Sequence, residues 1–115
     1  MKKDRRIYLR HLIECVARIK MYTTHGKEIF LSDIKTQDAV IRNVEVIGQV
    51  VRDLGIEDLA ARYPDTSWRA IAGTRNFLAH QYLGVDLELI WNIVVGDLPL
   101  LEQQVAALLA EADTK

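Results

Sequence analysis

Thr36-Gln-Asp-Ala-Val40-Ile-Arg-Asn-Val44-Glu-Val-Ile47-Gly48-Gln-Val-Val51-Arg-Asp-Leu54 carries the clearest periodic signal in this 115-residue chain. Val40, Val44, Ile47, Val51 and Leu54 recur at steps of four and three, the spacing that gathers side chains on one face of an α-helix. Arg42, Glu45, Gln49 and Arg52 keep the same rhythm on the opposite flank. A strand would alternate with period two, and no segment of useful length does so. The stretch is therefore read as a long amphipathic helix from about Thr36, stopped by Gly55. Gly48 weakens that helix locally, which makes it a place where another helix can approach closely.

The neighbouring segments follow the same logic. From Asp4 to Tyr22, the residues Tyr8, Leu12, Cys15, Val16 and Ile19 form an apolar stripe, with Arg10, Glu14 and Arg18 off it. Thr23-Thr24-His25-Gly26 ends this first helix, with Gly26 suited to a left-handed C-terminal position. Ile29-Phe30-Leu31 reads as a helical turn and Ile56 to Arg62 as a short helix. After the break Tyr63-Pro64-Asp65-Thr66, either Asp65 or Thr66 can cap a helix that starts at Ser67 or Trp68 and runs to about Tyr82. Asp86 caps the last helical stretch. Gly96-Asp97-Leu98-Pro99 should kink or restart it, because proline donates no amide and crowds the preceding turn. Leu98, Leu101, Val105, Leu108 and Ala112 continue the apolar face. The expected fold is all-α, an antiparallel bundle of four to five helices forming a single domain over residues 1–115.

Composition narrows the functional classes. Half the residues are hydrophobic and 27% charged, with a net charge of −1, so the chain lacks the basic excess of a general polyanion binder. A focused site built from a few arginines is not excluded by that balance. The single cysteine, Cys15, has no partner for an internal disulfide and is expected to pack in the core. A reducing cytoplasm fits best. The charged start is followed by no apolar run of signal-peptide or membrane-span length, so neither export nor membrane insertion is expected.

Arg75-Asn-Phe-Leu-Ala-His80-Gln-Tyr82 concentrates the chemistry. An arginine clamps phosphate, a histidine moves protons near neutral pH, and a tyrosine hydroxyl accepts covalent modification. On an ideal helix Asn76 and His80 share a face, and Arg75 and Tyr82 nearly superimpose on the adjacent stripe. The four can thus project into one cleft, with Ile71 and Leu78 turned towards the core. Arg42, Glu45 and Gln49 are candidates to line the same cleft, or a solvated helix face. A structural account of the motif also exists: Arg75 paired with a carboxylate such as Glu45, and His80 capping or packed. His11 reads as a helix-surface residue and His25 as a turn residue. Neither belongs to a ligand-spaced cluster, so no metal site is expected.

The chain resembles the HepT-like branch of the HEPN superfamily, small all-helical toxins whose signature is Arg, four residues, His, one residue, Tyr. The flanks agree as well: Arg42-Asn43-Val44-Glu45-Val46-Ile47-Gly48, Tyr63-Pro64-Asp65-Thr66-Ser67-Trp68, Gly84-Val85-Asp86 and Asp97-Leu98-Pro99. One departure is Gln49, where relatives more often carry Glu. The resemblance implies a metal-independent endoribonuclease toxin acting as a homodimer that brings two motif helices together. It implies that Arg75, His80 and Asn76 form the catalytic set. It further implies that Tyr82 is adenylylated by a cognate minimal nucleotidyltransferase antitoxin, with ATP consumed by that partner and no cofactor held by this chain. The alternative is a non-catalytic helical adaptor or accessory subunit of such a nucleotidyltransferase.

Overall fold

A computed structural model describes residues 4–80 and 86–114, with the side chains of 75–80 outside the description. The first helix, α1 (Arg5–Tyr22), begins where the Asp4 carboxylate accepts the Arg6 amide at 2.9 Å, filling one of the amides that a helix start leaves unpaired. It ends at Thr23, whose amide and hydroxyl both donate to the Ile19 carbonyl, at 3.0 and 2.8 Å. Gly26 differs from its expected place in that C-terminus. It precedes α2 (Lys27–Ser32) with φ 89° and ψ −178°, a backbone region open essentially to glycine alone.

The central helix, α3 (Ile34–Leu54), starts two residues before the Thr36 expected from periodicity. Ile34 is 72% exposed, so it stands off the buried stripe and contributes nothing to the pattern. Asp33 joins the two helices with an extended backbone, and its carboxylate accepts the Thr36 hydroxyl, which holds its pKa below the usual value. Gly55 ends α3 at φ 106°. The short α4 (Ile56–Arg62) has the expected bounds.

α5 spans Trp68–His80. Thr66 is buried, and its hydroxyl hydrogen-bonds Gln104 on the last helix. Trp68 is 1% exposed and its indole donates to the Tyr63 carbonyl at 2.9 Å, so the ring anchors the turn that launches α5. The expected end of this helix at Tyr82 lies outside the described residues.

α6 (Leu87–Asn92) is capped as expected, the Asp86 carboxylate accepting the Leu89 amide at 3.1 Å. The predicted kink takes a specific form. Ile93–Asp97 is a π turn, in which the Leu98 amide reaches back to the Ile93 carbonyl, and α7 (Leu98–Asp113) follows with Pro99 in its first turn. A proline is tolerated there because amides at a helix start need no intrahelical partner. The wider turn lets the chain pass it while staying helical.

α3 packs against both α1 and α5, and α7 closes on α1. Val40, Val44, Ile47, Val51 and Leu54 from α3 meet Leu9, Leu12, Cys15, Val16 and Ile19 from α1, and Leu98, Leu101, Val105 and Leu108 from α7, in one core. Leu87–Asp113 is long and apolar enough to cross a membrane by length and composition alone. Here it packs into the bundle through one face and is tied to α1 and α4 by Lys20–Glu102, Arg10–Asp113 and Arg62–Glu111 ion pairs. Trp91 is half-buried and packs on Phe30 with ring centroids 5.6 Å apart.

Trp68→Ala removes a fully buried ring and one of the two donors to the Tyr63 carbonyl, so urea unfolding should show a loss of about 3–5 kcal/mol. The Asp4 carboxyl is held at about 2, below its ordinary 3.8, chiefly by the Arg6 side chain. Its contribution is present above the unfolded value and lost as pH falls towards 2. Amide exchange in the first turn of α1 should therefore quicken, relative to the rest of the helix, between pH 4 and pH 2. Asp4→Asn should flatten that dependence.

Candidate functional site

The outer flank of α3 forms one wall of a cleft, and the start of α1 forms the other. The cleft has a volume of about 500 Å³ and is lined by Tyr8 and His11 from α1 and by Arg42, Glu45, Gln49 and Asp53 from α3, among others. Arg42, Glu45 and Gln49 share this cleft, while the motif side chains they were expected to share it with lie outside the described residues. Arg42 approaches Glu45 at 4.0 Å, and Gln49 donates to the Asp53 carboxylate at 3.1 Å. The arginine is largely exposed, so this pair is worth little to stability. Among the described residues, the cleft presents one cation, two carboxylates, an imidazole and a phenol over an apolar floor.

His11, Tyr8 and Asp53 were not anticipated as part of this cleft. His11 is exposed on the helix, as expected of a surface residue, but periodicity could not show which neighbour faced it. Asp53 had a usable signal, since it lies four residues after Gln49 on the same flank.

The motif helix runs beside the same α3. Arg52, near the end of α3, donates from Nε to the carbonyl of Ala72, near the start of α5, at 3.3 Å. The two helices pack together, so a contact between the end of one and the start of the other requires antiparallel directions. Arg75 then lies about 4.5 Å further along, level with Gln49, and His80 about 12 Å along, level with Val44. Glu45 and Arg52 are seven residues apart and thus within about 20° of one stripe. Glu45 consequently stands both in the cleft and on the edge of α3 that faces α5. Arg75, Asn76 and His80 all occupy α5, with their side chains outside the description, and Tyr82 lies outside the described residues altogether.

Two further ionisable groups are perturbed by burial. Burial pushes the Cys15 thiol up, as befits a core residue 1% exposed. Burial also raises the Asp97 carboxyl above its ordinary value. Asp97 lies on the π turn and lines a separate cavity, of about 300 Å³, against α5.

The sequence profile of the family described as "Ribonuclease HepT-like" matches residues 12–108. A Methanocaldococcus jannaschii protein provisionally named an RNase is 41% identical over 85% of this chain and 81% of its own length. A Thermococcus cleftensis protein named a probable ribonuclease HepT is 37% identical, covering 89% of this chain and 93% of its own. A second M. jannaschii protein, named as a gamma-glutamylcyclotransferase and provisionally as an RNase, is 37% identical over 98% of this chain, which spans only 51% of that protein. No solved structure matches the chain closely enough to count.

Gln49→Glu would exchange the donor to Asp53 for a second carboxylate four residues away, with Glu45 close by. Like charges at that spacing repel, so urea unfolding at low salt should show a loss of about 0.2–0.5 kcal/mol. The introduced carboxyl should titrate above the ordinary glutamate range by NMR, and salt should diminish both effects.

Proposed function

Since the chain belongs to the ribonuclease HepT-like family, we propose that it is the toxin of a toxin–antitoxin pair, a metal-independent endoribonuclease working in the cytoplasm. The observation that carries this reading is the Arg75-x4-His80-x-Tyr82 pattern inside the matched span, with Arg75 and His80 on one continuous helix.

The chemistry follows from those residue types. Attack by a ribose 2′-hydroxyl on the adjacent phosphate needs a base for the hydroxyl, a partner for the developing phosphorane charge and an acid for the leaving oxygen. His80 supplies the proton transfers. Arg75 holds the phosphoryl oxygens, and its planar fork suits the two equatorial positions. Asn76 is a neutral donor that orients phosphate or imidazole. One chain carries one motif histidine, whereas base and acid are two roles. A twofold dimer that apposes two α5 helices would supply both histidines and both arginines to a single cleft. Glu45, from its place on the edge of α3, would hold Arg75 when substrate is absent, and Arg42 and Gln49 would extend the cleft.

Tyr82 is the proposed off-switch. Transfer of AMP from ATP to its hydroxyl by a nucleotidyltransferase antitoxin forms a phosphodiester to the phenolic oxygen and releases pyrophosphate. The added phosphate competes for Arg75, and the added bulk fills the position of the RNA backbone.

Expression of the wild-type chain should arrest growth, and His80→Ala or Arg75→Ala should relieve the arrest with folding retained. Cleavage in vitro should fall about 10²–10⁴-fold in either variant. Equal toxicity of a folded double variant would remove both residues from the mechanism and favour the adaptor reading. Intact mass after incubation with the nucleotidyltransferase and ATP should show one AMP on the wild type and none on Tyr82→Phe. A stable monomer that cleaves RNA as fast as the dimer would end the composite-site idea.

A further inference from the structure

We propose that the cavity between α5 and the π turn is a nucleobase pocket that selects guanine in the RNA substrate, with Asp97 as the residue that reads the base. The proposal rests on the ribonuclease reading above and deepens it by assigning a specificity site.

The cavity, of about 300 Å³, is lined by Ala70, Ile71, Gly73 and Thr74 from α5 and by Leu89, Ile93 and Asp97 from the facing stretch. Its size is at the small end of ligand pockets, which run from about 300 to 1,000 Å³, and suits one planar base rather than a length of chain. The walls are aliphatic: Ile71 and Ile93 are buried, while Leu89 is 41% exposed at the surface. A flat, apolar face can lie against such walls, as extruded bases do between apolar side chains. The floor is open at Gly73, where a Cβ would meet nothing within 4 Å.

Among the described residues, the one charged group lining this cavity is Asp97. No described residue donates to its carboxylate, and burial alone acts on it, raising its pKa. The carboxylate is only partly buried, so water reaches its acceptors, and a base with two donors can take the place of that water. The π turn helps to place it. Leu89, Ile93 and Asp97 are four apart, and on an uninterrupted α-helix each such step drifts about 40° round the axis. The wider turn from Ile93 to Asp97 checks that drift and keeps all three on the cavity side.

An ionised carboxylate offers two acceptors and no donor. Guanine presents two adjacent donors, N1–H and the N2 amino group, on its Watson–Crick edge, whereas adenine, cytosine and uracil each present an acceptor beside a donor or two acceptors around one. The match is therefore to guanine. The pocket is also placed to serve the proposed chemistry. Gly73 and His80 are seven apart on α5, so they lie nearly on one stripe and about 10.5 Å apart along the axis. A short stretch of extended RNA bridges that distance, with its base in the pocket and its phosphate beside the motif.

The test pairs binding with cleavage. Guanosine 5′-monophosphate, titrated into the isotope-labelled full chain, should shift the amide signals of Gly73 and Asp97 and bind roughly tenfold more tightly than the other three monophosphates. Gly73→Leu fills the open floor while favouring the helix, and should abolish that binding with stability kept. Asp97→Asn replaces one acceptor by a donor and should remove the guanine preference. Mapping of cut sites in RNA should show guanine at a fixed offset for the wild type and not for either variant. Equal binding of all four nucleotides, or guanine binding that survives both substitutions, would overturn the proposal. So would signals at Gly73 and Asp97 that move with protein concentration instead of nucleotide, which would mark a contact between copies. A wild type that cuts RNA with no guanine preference and binds no guanosine monophosphate sinks the pocket and leaves the ribonuclease standing. Selective guanosine monophosphate binding in a chain that cuts no RNA would do the reverse.

Discussion

One helix has to satisfy two neighbours at once, and the rest of the bundle is arranged around that requirement. α3 buries Val40, Val44, Ile47, Val51 and Leu54 along its centre, with Asn43 and Val50 to one side and Gly48 on the other. α1 and α5 both pack on it. Each core residue deleted from this strip would weaken two helix interfaces, since a cavity left in a close-packed interior is only partly refilled. Two of the buried polar residues on the packed helices fit the same constraint. Asn43 donates to the Ala39 carbonyl at 2.9 Å and Thr74 to the Ile71 carbonyl at 2.6 Å, so each is satisfied within its own helix and asks nothing of the neighbour. That leaves the outer flank of α3 free of packing duty, and the polar cleft occupies it.

The fold was largely legible because the apolar steps of four and three are a direct image of one buried face. α4 and the Asp86 cap could be read from local residue types alone. The misreadings have physical causes. Ile34 belongs to α3 but points away from the core, so hydrophobicity gave no sign of it. The conformational freedom of Gly26 suits a helix ending, and the same freedom serves a beginning. Thr66 has the side chain of a cap, but tertiary packing places its hydroxyl against Gln104, thirty-eight residues on. Pro99 signalled a disturbance without saying which kind. Widening the turn lets the helix continue, and no property of proline alone distinguishes that from a break.

The candidate site divides along similar lines. Arg42, Glu45 and Gln49 share a flank by arithmetic, and that much needs only the knowledge that α3 is a helix. His11 and Tyr8 come from a different helix, and their convergence on that cleft depends on the crossing of α1 over α3, which spacing within one segment does not encode. In the sequence Asp97 is marked only by its neighbours Gly96 and Pro99. Its place in the cavity against α5 is a property of the assembled bundle. Residues whose role comes from their own helix can thus be found by reading along the chain. Residues whose role comes from a meeting of helices cannot.

The pairing of α1 with α7 has a consequence for how the molecule comes into being. Arg10 bonds Asp113 across 103 residues of sequence, and α7 is the element that covers the α1 side of the core. During synthesis α1, α3 and α5 emerge first, with an apolar seam still open. Bringing the two ends together incurs the loop-closure entropy of nearly the whole described chain before any contact rewards it. Docking of α7 is thus the contact of greatest sequence separation in the bundle, and the apolar seam along α1 stays open to water until it forms.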